Sequence, residues 1–98
     1  MNAYLILDIE IHDQSSFQSY ANQIPEFVKK HLGRYVVMGG EPENIEGSWK
    51  PTRVVIIEFP SKKNAREFLK DSEAKNIFSI RHRSSSSKSI LVEGCINQ

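Results

Sequence analysis

The sequence predicts an α+β domain with the element order β-α-β-β-α-β, and three observations carry that prediction. Residues 3 to 10, A-Y-L-I-L-D-I-E, place Ala3, Leu5, Leu7 and Ile9 on one side and Tyr4, Ile6, Asp8 and Glu10 on the other, the two-residue period of a strand. Between residues 17 and 28 the period changes: Phe17, Tyr20, Ala21, Ile24, Phe27 and Val28 recur every three or four positions, the apolar stripe of a helix. From Thr52 to Phe59 the chain is rich in β-branched residues, which suit a pleated surface.

The elements follow in order. Asp13 is a good N-cap for a helix running to about His31, Pro25 predicts a kink near Ile24, and Gly33 is expected to stop the helix. Arg34 to Met38 reads as the second strand. Gly39 and Gly40 give it the freedom for a bulge or sharp bend before an extended segment from Glu41 to Glu46 and a turn at Gly47 to Pro51. Thr52 to Phe59 forms the third strand. Ser61 caps a second helix with Ala65, Phe68 and Leu69 facing inward, and after a break at Asp71 the helix restarts at Ser72 and reaches about Arg83 with Ile77 and Ile80 inside. Ser84 to Ser87 is expected to be a short loop, and Lys88 to Glu93 the last strand, bounded by Gly94.

Right-handed crossovers turn this order into a four-stranded antiparallel sheet of ferredoxin-like order 4-1-3-2, with the helices on one face. The other face, carrying Tyr4, Ile6, Val54 and Ile56, has nothing in the sequence to cover it. An apolar sheet face of that kind predicts a partner laid against it, most simply a second copy related by a two-fold axis.

Composition excludes several classes. Thirteen basic against twelve acidic residues leave a net charge of +1, without the field that draws nucleic acid or anionic membranes. No apolar run approaches the roughly 20 residues of a membrane span, and Met1 leads directly into a strand without a signal-like segment, so the expectation is a soluble, cytoplasmic protein of one domain over residues 1–98. The single cysteine, Cys95, permits no internal disulfide. His12, His31 and His82 are scattered without carboxylates at ligand spacing, so no metal site is expected, and no cofactor motif is present. Gly39-Gly40 is a backbone device, because no Lys-Ser/Thr signature follows it. R-H-R-S-S-S-S-K at 81 to 88 is the one basic cluster; phosphate contact and a solvated helix end are its two readings, and the lack of interleaved aromatics favours the second.

Candidate chemistry lies at the ends of the strands. Strand one runs antiparallel to strand three, which brings Tyr4 and Glu58 to the same sheet end, with Arg34 entering from the start of strand two. Tyr4, Asp8 and Glu58 share the face away from the helices, where partial burial in a dimer would raise a carboxylate pKa into a useful range. The alternative is that Glu58 and Arg34 pair only to balance charge. Arg53 has a different parity and sits near Asp8, with a structural ion pair as one reading. His31 would serve as a general base or interact with the helix dipole. Trp49 would stack on a ligand or pack against the partner.

Taken together, A-Y-L-I-L-D at 3 to 8, Phe17 with Tyr20, G-R-Y-V-V-M-G-G at 33 to 40, E-G-S-W-K-P at 46 to 51, R-V-V-I-I-E-F-P-S at 53 to 61, Ala65, Ser72, Arg81 with Arg83, and L-V-E-G at 91 to 94 resemble the DUF1330 family of the dimeric α+β barrel superfamily. The resemblance spans nearly the whole chain and implies a homodimer whose two sheets pack face to face. Larger relatives in the superfamily include cofactor-free monooxygenases, haem-degrading enzymes and muconolactone isomerases, an associational pointer to a small-molecule cleft. Where the family usually carries S-P-E-Y, this chain has Ser72-Glu73-Ala74, which removes a tyrosine and is expected to open the site.

The functional expectation is a homodimeric small-molecule-binding protein, extending to cofactor-independent catalysis. Its cleft lies between sheet and helices, ringed by Tyr4, Asp8, Arg34 and Glu58. Glu58, Tyr4 and Asp8 are the catalytic candidates, and Arg34, His31, Arg53 and Trp49 the substrate-binding candidates. A non-catalytic dimeric module, in which the same polar residues lock two sheets together, is the alternative.

Overall fold

The structure is a computed structural model and describes residues 1–95. Its elements are β1 (Ala3–Ile11), α1 (Gln14–Lys30), β2 (Arg34–Gly40), β3 (Val54–Phe59), α2 (Lys62–Leu69), a 3-10 turn (Ser72–Ala74), α3 (Lys75–Ser84) and β4 (Ser85–Glu93). The antiparallel sheet has the order β2-β3-β1-β4, the ferredoxin-like order expected from the sequence, counted from the opposite edge. Residues 96–98 of the expected domain lie outside the described residues.

Strand parity divides the sheet into two faces. Ala3, Leu5, Leu7 and Ile9 of β1 and Ile57 and Phe59 of β3 are buried beneath the helices, where they meet Phe17, Tyr20, Ile24 and Val28 of α1 and Ala65, Phe68, Ile77 and Phe78 of α2 and α3. On the opposite face the register builds three cross-strand rows. Arg34, Glu58, Tyr4 and Val92 form one end; Val37, Ile56, Ile6 and Ile90 form an apolar middle; Gly40, Val54, Asp8 and Lys88 form the other end. Ile90 and Val92 are 60% and 42% exposed on this open face.

Several local expectations shift. The helix stop is Leu32, at φ 65, rather than Gly33. The Gly33 amide donates to the Val28 carbonyl and the Leu32 amide to that of Lys29, the paired bonds of a Schellman cap with a leucine in the left-handed position. Gly33 is required for space instead: a Cβ there would lie 2.7 Å from the Phe59 ring. Pro25 sits inside α1 without ending it. Besides the bulge at Gly39, which has φ +76, β2 shifts register between Tyr35 and Val37, where no glycine marks the sequence. Residues 41–53 form no helix or strand, and β3 starts at Val54 rather than Thr52.

The expected loop at Ser84 to Ser87 does not exist. Ser84 ends α3, and Ser85, Ser86 and Ser87 pair with Ile11, Glu10 and Ile9 of β1. The Ser84 carbonyl accepts from the amides of His12 and Asp13, so the end of β1 is tied directly to the end of α3. Tertiary pairing here overrides the weak intrinsic preference of serine for strands.

Candidate functional site

The residues singled out from the sequence fall in four separate places. Tyr4, Glu58 and Arg34 do converge: the Tyr4 hydroxyl donates to Glu58 Oε2 at 2.8 Å, and Arg34 Nε donates to Glu58 Oε1 at 2.7 Å. Both carboxylate oxygens are therefore engaged. The Tyr4 hydrogen bond, followed by that of Arg34, holds the Glu58 carboxyl below its ordinary range, while the same bond pushes the Tyr4 phenol up. In the single chain the hydrogen bonds to Glu58 outweigh the effect of burial. A depressed acid beside an elevated phenol is a closed charge network rather than a proton-transfer pair at neutral pH.

Asp8 shares the face of Tyr4 but lies four residues along β1, about 13 Å away at the usual strand rise. Its Oδ1 accepts from the Thr52 amide at 3.1 Å, and no ion pair with Arg53 forms. With Trp49, Ile6, Val54, Lys88 and Ile90 it borders a shallow depression of about 170 Å³ on the open face. Trp49 is 69% exposed at its edge.

His31 caps the C-terminus of α1 and turns toward the α2 end. Its Nε2 is 2.8 Å from Asp71 Oδ2, which Lys30 Nζ also reaches at 2.8 Å, and its ring meets Phe68 edge-on. Asp71 Oδ1 accepts from the Glu73 amide, capping the 3-10 turn. These bonds, that of Lys30 first, hold the Asp71 carboxyl well below the ordinary carboxylate range. His31 thus staples α1 to the α2–α3 junction.

Arg53 lies in a fourth place, and that place is the cleft between the sheet and α1. A cavity of about 150 Å³ opens there, lined by Leu7, Ile9, Val55 and Ile57 from the sheet, by Phe17, Tyr20, Ala21, Ile24 and Pro25 from α1, and by Tyr35, Met38, Gly39 and Arg53 at the rim. The cleft anticipated from the sequence is present, but Tyr4, Asp8, Arg34 and Glu58 do not ring it; they occupy the other side of the sheet, because their parity opposes that of Leu5, Leu7 and Ile57.

Each polar group of this cavity has a structural cause. Gly39 at positive φ lets the Arg53 side chain lie directly over the β2 backbone, its Cδ 3.0 Å from where a Cβ would stand. Among the described residues Arg53 has no carboxylate partner. Burial pushes the Tyr35 phenol up, so it is a hydroxyl donor at any physiological pH. Burial also raises the Tyr20 phenol, whose oxygen accepts from Arg81 Nη1 at 3.4 Å. Pro25 has no amide hydrogen, which leaves the carbonyl of the lining residue Ala21 without its helical donor. Sequence reasoning passed over Tyr20 and Tyr35: Tyr20 reads as part of a core stripe, and Tyr35 as an ordinary strand residue. Their available signal was the hydroxyl, which an apolar core has no use for.

The family model for DUF1330, a domain of unknown function, matches residues 2–95. The chain belongs to the DUF1330 family. No curated protein matches it. Among solved structures, a protein of unknown function from Rhodopseudomonas palustris shares the fold with a TM-score of 0.77 at 14% identity, over 98% of this chain and 84% of that one. SnoaB, a cofactor-independent oxygenase from Streptomyces nogalater, matches with a TM-score of 0.73 at 14% identity, over 98% of this chain and 95% of its own. A dimeric protein of unknown function and ferredoxin-like fold from Bacteroides fragilis matches with a TM-score of 0.56 at 11% identity, over 95% and 96% of the two chains. At these identities the likeness shows the shared ferredoxin-like fold. Among the described residues no helix of this DUF1330 protein is long and apolar enough to cross a membrane.

Proposed function

We propose that this DUF1330 protein is a homodimer that binds a small, single-ring organic molecule bearing an acidic or hydrogen-bond-accepting group, in the cleft between the sheet and α1. The observation that carries the reading is the cavity itself: apolar walls from both layers, with Arg53 and Tyr35 among its lining residues. Its volume of about 150 Å³ is half or less of a drug-sized pocket, and an engineered cavity of about that size in another protein holds benzene. The ring would occupy the Leu7, Ile24 and Ile57 end and the acceptor would meet Arg53. SnoaB shares this fold and works without a cofactor, which supports extending the reading to cofactor-free chemistry on the bound molecule.

The dimer half of the proposal is supported by the apolar row Val37, Ile56, Ile6 and Ile90 on an uncovered sheet face. The Bacteroides fragilis protein of the same fold is dimeric. Within that arrangement the closed Tyr4–Glu58–Arg34 cluster belongs to the rim of the subunit contact rather than to a reacting centre, and Asp8 with Trp49 to its opposite rim. The reading of these residues as an interface lock, with no cleft chemistry, is favoured by the full engagement of Glu58.

Thermal denaturation with benzoate tests the cleft. A ligand that binds the native state raises the melting temperature by mass action. Benzoate should raise it for the wild type but not for Ala21→Leu, which fills the cavity from α1. Equal shifts in both proteins would place binding elsewhere and remove the cleft assignment.

A further inference from the structure

A second feature on the helical side meets that cleft only through Tyr20, which lines the cleft and accepts from Arg81. The sequence K-N-I-F-S-I-R-H of α3 puts Lys75, Ser79 and His82 on one stripe at helical spacing, facing the residues at the end of α2. Between them lies a broad depression of about 610 Å³, with Lys70, Asp71, Ser72 and Arg81 also among its lining residues.

Arg81 was expected on a solvated helix end. It is instead 7% exposed. Its guanidinium lies between two aromatic rings, 5.6 Å from the centre of Tyr20 and 5.7 Å from that of Phe78. Nη1 donates to the Tyr20 hydroxyl at 3.4 Å and Nη2 is 3.2 Å from His82 Nε2. Nε is buried and has no partner at all. Among the described residues no carboxylate lies within ion-pair distance of Arg81. The acid on the depression wall, Asp71, is already committed to Lys30, His31 and the Glu73 amide.

Buried charges in folded proteins are paired, because an unpaired one forfeits its hydration without return. Ring faces and neutral acceptors offset part of that loss but supply no counter-charge. The local balance of Arg81, Lys70 and Lys75 against one engaged aspartate leaves the depression positive. Among the described residues none supplies that counter-charge, and the depression lies on the helical side, away from the open sheet face that a second copy would cover.

We propose that the depression between α2 and α3 binds a small oxoanion, a phosphate or carboxylate group, with Arg81 as the buried anchor and Lys75 and Ser79 at the rim. Arginine suits this role through its planar fork of donors, and lysine adds a point charge.

The test is a titration of the full chain with inorganic phosphate across the millimolar range, at ionic strength held constant with chloride, followed in proton–nitrogen spectra that include the arginine Nε–H region. The Arg81 Nε–H resonance and the Lys75 and Ser79 amides should shift together and saturate. Lys75 is exposed, so Lys75→Ala keeps the fold, and it should weaken the apparent dissociation constant about two- to five-fold, the size of one rim charge. Arg81→Met should abolish saturation if it folds. A linear drift matched by chloride alone, or an affinity unchanged in Lys75→Ala, overturns the proposal. So does an Arg81 shift that follows protein concentration instead of phosphate, since the counter-charge would then be a carboxylate of a second copy.

Discussion

Replacing Ile90 by alanine isolates the subunit contact from the fold. Ile90 lies on β4 opposite Ile6, in the middle of the apolar row, and keeps 60% of its surface exposed in the single chain. Fully burying an isoleucine side chain is worth about 1.5–3 kcal/mol, so covering the remaining three-fifths is worth about 1–2 kcal/mol in each subunit. A two-fold contact uses the residue twice, and the dimer should lose about 2–4 kcal/mol. At about 1.4 kcal/mol per tenfold, the dissociation constant rises from about 30-fold to several hundred-fold. Sedimentation equilibrium over a dilution series measures this directly, with far-UV circular dichroism as the check that the monomer fold survives. The wild type should sediment at twice the chain mass of 11.2 kDa, and the variant should dissociate at much higher concentration. Wild type at the single-chain mass, or a variant with an unchanged dissociation constant, would mean that this sheet face is not a subunit contact.

Other consequences follow from the fold. Gly33→Ala drives a methyl group to within 2.7 Å of the Phe59 ring, itself fully buried and tilted against Phe68 with 5.3 Å between ring centres, so urea denaturation should show a loss of about 1–3 kcal/mol. Glu58 is depressed below its ordinary value of 4.5 in the folded chain, so its pairing stabilises fully above that pH and is lost as the pH falls through the lowered value. Glu58→Gln should therefore flatten the acid limb of a stability–pH curve; an unchanged acid limb would show that the pairing is inert. Arg53→Met should raise the KD for benzoate more than for toluene, because the guanidinium meets only the charged group; equal losses for both probes would assign Arg53 a packing role.

The sequence carried the fold through two periodicities. Alternation in β1 and β3 sets which side chains go inside, and the same parity puts Tyr4 opposite Glu58, a contact found at 2.8 Å. What it hid has physical causes. The register shift after Tyr35 occurs in an all-apolar run with no glycine, where alternation cannot be followed. Leu32 takes a left-handed conformation that its residue type disfavours, because the hydrogen bonds of the helix end fix it there. Four consecutive serines suggested a loop, and pairing to β1 made three of them strand. Arg81 looked solvated within a charge run until α1 supplied Tyr20 as a lid, a tertiary contact 61 residues distant in the chain. The cleft was expected between sheet and helices but with the wrong residues around it, for a similar reason. It is lined by Tyr35 of β2 and by Arg53, the last residue of the long irregular segment before β3, whose side chain lies over the β2 backbone at Gly39.

A residue-resolved titration with benzoate distinguishes binding in the cleft between the sheet and α1 from binding on the open face. Amide shifts concentrated at Tyr20, Ala21, Tyr35 and Gly39, saturating with one dissociation constant, are the predicted result. Shifts confined to the open face around Tyr4, Ile56 and Glu58, with the α1 residues unmoved, would contradict it.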